Sequence, residues 1–227
     1  MDGPPFWASP YKHRRTGRRA TCGRPYGEDV TTTVREAKRA LRERILARRR
    51  DLDATALASA ASRLRDVVLG LPEVAAASTV ATYVSVGREP GTGPLVEALS
   101  DDGVDVLLPV LLPGGDVDWA RYTGPQHLVP AARGLLEPDG ERLGPAAVTA
   151  APVLLVPGLA VDRRGHRLGR GGGSYDRVLA RVLGSTTPVF TCVLLHDGEV
   201  LDIPVPREPH DVPVDAVATP SGVHRLR

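Results

Sequence analysis

Five short runs of apolar and largely β-branched residues punctuate this chain: Thr79–Val86, Val104–Pro109, Pro152–Val156, Val189–Leu195 and Ala216–Thr219. Their length and their Val, Thr and aromatic content suit strands buried on both faces. A helical stretch from Gly93 to Leu99 separates the first two, and another from Tyr175 to Leu183 separates the third and fourth. Parallel strands need crossovers, and the crossover helices then cover the sheet. The expected class is therefore α/β, with a mostly parallel sheet covered on both faces.

Two amphipathic helices precede the strands. Ala37, Leu41, Ile45 and Leu52 recur near helical spacing from about Val34 to Leu52, and Leu57, Ala61, Leu64, Val68 and Leu71 repeat the pattern before Pro72. Residues 110–150 are rich in Pro and Gly and read as loops, with short antiparallel strands around Trp119–Tyr122. A chain of 227 residues fits one domain with an appendage. With 42% hydrophobic and 25% charged residues the usage is globular, so the 24 Gly and 21 Pro signify turns.

The net charge of +2 is unevenly placed, because residues 1–34 carry six Lys or Arg against three acids. The body is left near neutral, which argues against nucleic-acid binding through bulk charge. Residues 1–34 lack an apolar period and are expected to form a disordered basic tail ahead of a single domain, 35–227. No apolar run approaches the roughly 18 residues of a membrane helix, and the first 30 lack the apolar core of a secretory signal. The expectation is a cytoplasmic monomer without membrane or nucleic-acid partners. Cys22 and Cys192 are too few for a zinc cluster and are expected to be free thiols, Cys192 in the core.

The segment from Pro157 to Arg177 is the most informative for chemistry. It follows a strand and precedes a helix, so its glycines fall at the carboxyl end of a strand, where open α/β sheets bind ligands. Gly169, Gly171, Gly172 and Gly173 let backbone N–H groups approach an anion, the next helix adds its positive end, and Arg167 and Arg170 add charge. This reads as a phosphate cradle, with a flexible loop of unrelated charges as the alternative. It is not a P-loop, which closes on Gly-Lys-Ser/Thr, and Ser174 stands where the dinucleotide pattern needs a last Gly.

Other residues are weaker candidates. Lys38 is one of only two lysines, the other being Lys12, and shares a helix face with Arg42; both could reach phosphates, although an Arg-rich helix face is commonly just solvated. Glu89 follows a strand and could receive ring N–H groups or cap a helix. Asp176 and Asp211 could hold magnesium, which prefers carboxylate and phosphate oxygen, or be structural. His196 looks like a turn residue. Two other function classes remain open on these residues: nucleic-acid association through the Arg-rich tail and first helix, and a sugar-phosphate isomerase or transferase needing no ATP.

The ordered set Lys38-x-x-x-Arg42, Tyr83-Val-Ser-Val-x-x-Glu89-x-x-Thr92, Glu137-Pro138, Pro157-Gly-Leu-Ala-x-Asp162 to Tyr175-Asp-Arg177, and His210-Asp211 followed by Asp215 resembles the 5-formyltetrahydrofolate cyclo-ligases, or 5,10-methenyltetrahydrofolate synthetases. The resemblance spans about 35–220; residues before Val34 have no counterpart in the family pattern. It implies a three-layer α/β/α sandwich and an ATP-driven cyclisation of 5-formyltetrahydrofolate, with ADP and phosphate released. Carried over by position, Lys38 and Arg42 would contact the nucleotide phosphates, and Arg167, Leu168, Gly169, Arg170, Gly171, Gly172, Gly173, Ser174 and Tyr175 would form the ATP loop. Arg167 and Lys38 would act in catalysis, Val84 and Glu89 would touch the folate, and Asp176 and Asp211 would associate with Mg2+. Ser174 departs from the pattern, since many members carry a second tyrosine before Tyr175.

Overall fold

A computed structural model of the chain describes residues 28–209 and 211–226. Most of the expected tail, Cys22 and His210 lie outside the described residues. In chain order the elements are α1 (Glu28–Arg50), α2 (Ala54–Leu69), α3 (Pro72–Ala75), β1 (Thr79–Ala81), α4 (Gly93–Asp101), β2 (Asp105–Leu111), β3 (Val117–Arg121), β4 (Leu128–Pro130), β5 (Leu136–Pro138), β6 (Val153–Pro157), β7 (Ala160–Asp162), β8 (Arg167–Leu168), α5 (Ser174–Leu183), β9 (Phe190–Leu194), β10 (Val200–Leu201), β11 (Ala216–Thr219) and β12 (Gly222–Arg225).

All five apolar runs contribute strands to a seven-stranded sheet ordered β12-β11-β9-β6-β1-β2-β3. The five inner strands are parallel, and β3 and β12 pair antiparallel at the edges. Side chains alternate between two cores, as the pleat requires. Val153 and Leu155 of β6 meet Leu64 and Val68 of α2 and Leu95 and Leu99 of α4, whereas Leu154 and Val156 meet Val178, Leu179 and Val182 of α5. Each fully buried Leu or Val contributes roughly 1.5–3 kcal/mol relative to exposure. Cys192 lies in the first core, and burial pushes its thiol up to about 12, so it is inert packing.

Helix α1 begins at Glu28, six residues ahead of the start expected from periodicity. It does not cover the large sheet. Its Leu41 and Ile45 pack on Leu159, Ala160, Leu168 and Val205, over a small sheet ordered β10-β7-β8. The hairpin β7–β8 turns at Gly165 (φ 85°), and Asp162 organises it by accepting N–H groups of Arg164 (2.9 Å), His166 (3.0 Å) and Val205 (3.0 Å).

The first apolar run pairs as strand through Ala81, and Thr82 N–H still donates to the Leu107 carbonyl of β2 at 2.9 Å. Beyond Thr82 the backbone bonds elsewhere: the Thr92 hydroxyl donates to the Tyr83 carbonyl (2.6 Å) and accepts from Ser85 N–H (2.9 Å). Residues 83–86 thereby leave the ladder. Because β2 and β6 flank β1 on opposite sides, the chain reverses its direction of winding at β1, and a crevice opens beyond the carboxyl ends of β1 and β6.

Candidate active site

A cavity of about 270 Å3 fills that crevice. One half is apolar, walled by Val84 and Val86 after β1, Pro109 and Leu111 of β2, and Leu135 of the β4–β5 hairpin. The other half is the glycine ribbon from Gly169 to Gly173, running from the end of β8 into α5. Gly171 and Gly173 take φ values of 97° and 74°, a region that side chains disfavour. A Cβ on Gly169 would lie 2.8 Å from Arg167 Nη1, and one on Gly171 would lie 3.4 Å from the Arg42 guanidinium carbon. Glycine is thus required by backbone conformation at Gly171 and Gly173, and a side chain at Gly169 would displace the Arg167 guanidinium. The ten-residue α5 then presents its positive end beside the ribbon.

Three arginines frame the ribbon. Arg42, from α1, donates through Nε to the Gly169 carbonyl at 2.9 Å. Arg167 is buried, donating to the Pro157 carbonyl at 3.0 Å and to Asp176 at 2.6 Å, while its Nε is buried without a partner. Arg170 pairs with Glu89 at 3.0 Å, and the other Glu89 oxygen accepts Val86 N–H at 2.9 Å. Two cavity-lining phenols, Tyr83 and Tyr175, also have buried hydroxyls with no hydrogen-bond partner. Burial, reinforced by the nearby Glu89 carboxylate, raises both pKa values, so each phenol stays protonated. The cavity therefore holds an N–H-rich, cation-rich anion site joined to an apolar slot lined with unsatisfied donors.

The structure brings together most of the residues selected from sequence: Arg42, Arg167, Arg170, the glycines, Ser174, Tyr175, Asp176, Val84 and Glu89. Leu168 is buried behind the ribbon in the core of the small sheet. Lys38 and Asp211 lie together off the cavity wall. The buried Lys38 Nζ donates to Asp211 at 2.6 Å and to Glu208 at 3.0 Å, and Asp211 also accepts Glu208 N–H at 2.7 Å. Among the described residues no cluster of three or more His, Cys, Asp or Glu could hold a metal unaided. Asp176 and Asp211 each already accept from a cation. That donor set fits a magnesium ion only if phosphate oxygens complete its shell, which is how Mg2+ is commonly bound.

Sequence reasoning missed the support beneath the site. Arg49 and Glu199, both buried, form a bidentate pair at 2.8 and 2.8 Å, and Arg49 also donates to the Gly158 carbonyl at 2.8 Å. Gly158 lines the cavity and has no room for a side chain, since a Cβ would sit 2.7 Å from Val193 Cγ2. No local pattern announces a pair separated by 150 positions. His196 opens a turn, as expected, its carbonyl accepting Glu199 N–H at 3.3 Å, but its ring is buried beside this pair; its Nε2 lies 3.2 Å from the Arg88 carbonyl, and burial lowers its pKa toward the neutral ring.

Comparison with known proteins gives a consistent result. Residues 34–220 match the sequence profile of the 5-formyltetrahydrofolate cyclo-ligase family. The chain is 40% identical over 200 residues to the 5-formyltetrahydrofolate cyclo-ligase of Mycolicibacterium smegmatis, covering 84% of this chain and 98% of that protein. It is 37% identical over 155 residues to the protein of the same name from Escherichia coli strain K12, covering 67% and 83% respectively. The solved structure of Aquifex aeolicus 5,10-methenyltetrahydrofolate synthetase superposes with a TM-score of 0.71 at 29% identity, covering 84% of this chain and 93% of that one. A 5,10-methenyltetrahydrofolate synthetase from Mycoplasma pneumoniae superposes at 0.62 with 19% identity, covering 81% and 98%, a likeness of fold.

Proposed function

The chain belongs to the 5-formyltetrahydrofolate cyclo-ligase family and is a ligase, and from its site we propose that it uses ATP to close 5-formyltetrahydrofolate into 5,10-methenyltetrahydrofolate, releasing ADP and phosphate. The observation that carries this reading is the two-part cavity: an anion cradle of glycine N–H groups with Arg42, Arg167 and Arg170 opens directly into an apolar slot at the sheet's switch point. Such a cavity seats a triphosphate and a flat ring system against each other. Proximity of this kind can substitute for several kcal/mol of activation free energy.

The chemistry needs no side-chain nucleophile. A formyl oxygen bonded through an amide is a poor nucleophile and, as oxide, a poor leaving group. It attacks the terminal phosphorus of ATP while the bond to ADP breaks. The neighbouring folate nitrogen then bonds to the activated carbon, loses its proton, and phosphate departs with the former formyl oxygen. Phosphoryl transfer is chiefly a matter of positioning and of stabilising dispersed negative charge. Here Arg167, braced by Pro157 and Asp176, holds its cation fixed beside the ribbon, and Arg42 fixes the ribbon itself. Glu89 orients Arg170 and, with Val84, borders the slot where the folate rings would lie. The neutral phenols of Tyr83 and Tyr175 offer donors to that ring system. Magnesium would be held by Asp176 together with phosphate oxygens and would supply charge neutralisation of the phosphates, while Asp211 stays paired with Lys38 off the cavity wall.

The test mixes the purified protein with Mg-ATP and 5-formyltetrahydrofolate. Methenyl absorbance and ADP rising in equal amounts support the reading. Methenyl product without ATP, or ADP without methenyl product, would refute it.

A further inference from the structure

We infer that Arg133, at the tip of the β4–β5 hairpin, captures the glutamate carboxylate of the folate tail and so contributes to substrate recognition; the inference rests on the proposed cyclo-ligase reading. Arg133 lines the cavity from the hairpin, with Leu135, Leu136 and Glu137 beside it in the chain. It is the one non-glycine residue among those described with a positive φ, 62°. The turn is closed by Ala131 N–H donating to the Leu135 carbonyl at 2.9 Å, and the hairpin is tied to the sheet where Leu111 N–H donates to Glu137 at 2.9 Å. A left-handed arginine is strained where glycine would not be. An arginine kept there positions a guanidinium at the cavity mouth.

The arginines around the ribbon are already engaged: Arg42 with Gly169, Arg167 with Pro157 and Asp176, Arg170 with Glu89. Arg133, in contrast, is exposed and has no hydrogen bond or ion pair to any described residue. A folate is amphipathic along its length, with fused rings at one end, an aromatic linker in the middle and carboxylates at the other end. The cavity is laid out to match. The phosphate site and ring slot lie inside, apolar Leu135 and Leu136 follow, and a planar cation stands at the rim, where a carboxylate can be held bidentately.

The experiment compares Arg133→Gly and Arg133→Lys with the parent, using 5-formyltetrahydrofolate and the same compound lacking its glutamate. Glycine suits a φ of 62°, so Arg133→Gly removes the side chain without straining the turn, and its thermal midpoint should match the parent's. For the full substrate, KM should rise about tenfold in Arg133→Gly, the scale of one charge-assisted contact, with kcat within twofold and KM for ATP unchanged. Arg133→Lys should recover part of the loss. With the glutamate-free compound, parent and Arg133→Gly should have equal KM. An unchanged KM, an equal rise with both compounds, or a rise in KM for ATP overturns the inference. A parent that fails to cyclise the substrate overturns the underlying reading instead, and is read separately.

Discussion

Replacing Arg167 with alanine tests the site most directly, because the structure separates what the side chain does for the fold from what it can do for the reaction. Its two terminal nitrogens are committed, to Pro157 at 3.0 Å and Asp176 at 2.6 Å, and the buried Nε has no protein partner. Asp176 is 35% exposed, so water can replace the lost cation there, and the stability cost comes mainly from the Pro157 carbonyl. That amounts to about 1–3 kcal/mol, or a fall in Tm of roughly 2–12 °C for a chain of this size. The catalytic loss is larger. One preorganised donor to developing charge is worth about 10²–10³ in kcat, some 3–4 kcal/mol. Measured well below the lowered Tm, with circular dichroism matching the parent, Arg167→Ala should therefore show kcat down at least 100-fold. Arg167→Lys should fall between, since a lysine keeps the charge but cannot brace two acceptors at once. If kcat for Arg167→Ala stays within threefold of the parent, Arg167 does not stabilise the transferring group and the mechanism above is wrong.

Gly171→Ala forces a side chain into a φ of 97° and against Arg42, so KM for ATP should rise about tenfold in an ATP titration, with KM for the folate little changed; equal ATP constants would remove the ribbon from the nucleotide site. Lys38→Met removes the cation that Asp211 and Glu208 share, and is expected to lower Tm and weaken ATP use together; steady-state kinetics with an unaltered KM for ATP would leave Lys38 as a purely structural residue. Acid titration probes Asp162. Burial raises its pKa, but donation from the His166, Val205 and Arg164 backbones outweighs burial, so the folded value is lowered. The stability it contributes is present above the unfolded carboxylate range and is lost as pH falls through the folded value. Asp162→Asn should therefore lower Tm at neutral pH and flatten its decline in acid; parallel curves for variant and parent would contradict this assignment.

The sheet was legible because each inner strand is a nearly continuous apolar run, and such a run can satisfy two cores at once, as Leu154 and Leu155 do on opposite faces of β6. The glycine segment was legible for a related reason: backbone that must approach a ligand leaves a compositional trace. Positions fixed by partners far along the chain left none. Gly158 reads as one more glycine in a loop until Val193 and Arg49 are seen around it. The short strands β7, β8 and β10 also escaped detection, because two or three residues cannot display a period and their pairing partners, with the Asp162 carboxylate that fixes the β7–β8 turn, lie beyond any local pattern. The first run misled in its second half. Tyr83 to Val86 has strand-like composition, but Thr92 holds its backbone so that Tyr83, Val84 and Val86 line the cavity.

The same distinction explains α1. Its apolar residues Leu41 and Ile45 pack on the small sheet, which periodicity could anticipate. Lys38, Arg42 and Arg49 stand at spacings of four and seven from one another and so share that inward stripe, where a solvated arginine face was the simpler expectation. Each of the three meets a different piece of the molecule: Lys38 the 208–211 loop, Arg42 the Gly169 carbonyl, Arg49 the Gly158 carbonyl. One rigid helix thus anchors both ends of the polar half of the cavity, the turn after β6 and the ribbon after β8. A change in how α1 seats on Leu159 and Leu168 must move Gly158 and Gly169 together. Substitutions at Leu41 or Ile45, which touch neither ligand, should consequently change ATP affinity as well as stability, whereas equally buried positions in α2, such as Leu64, should change stability alone.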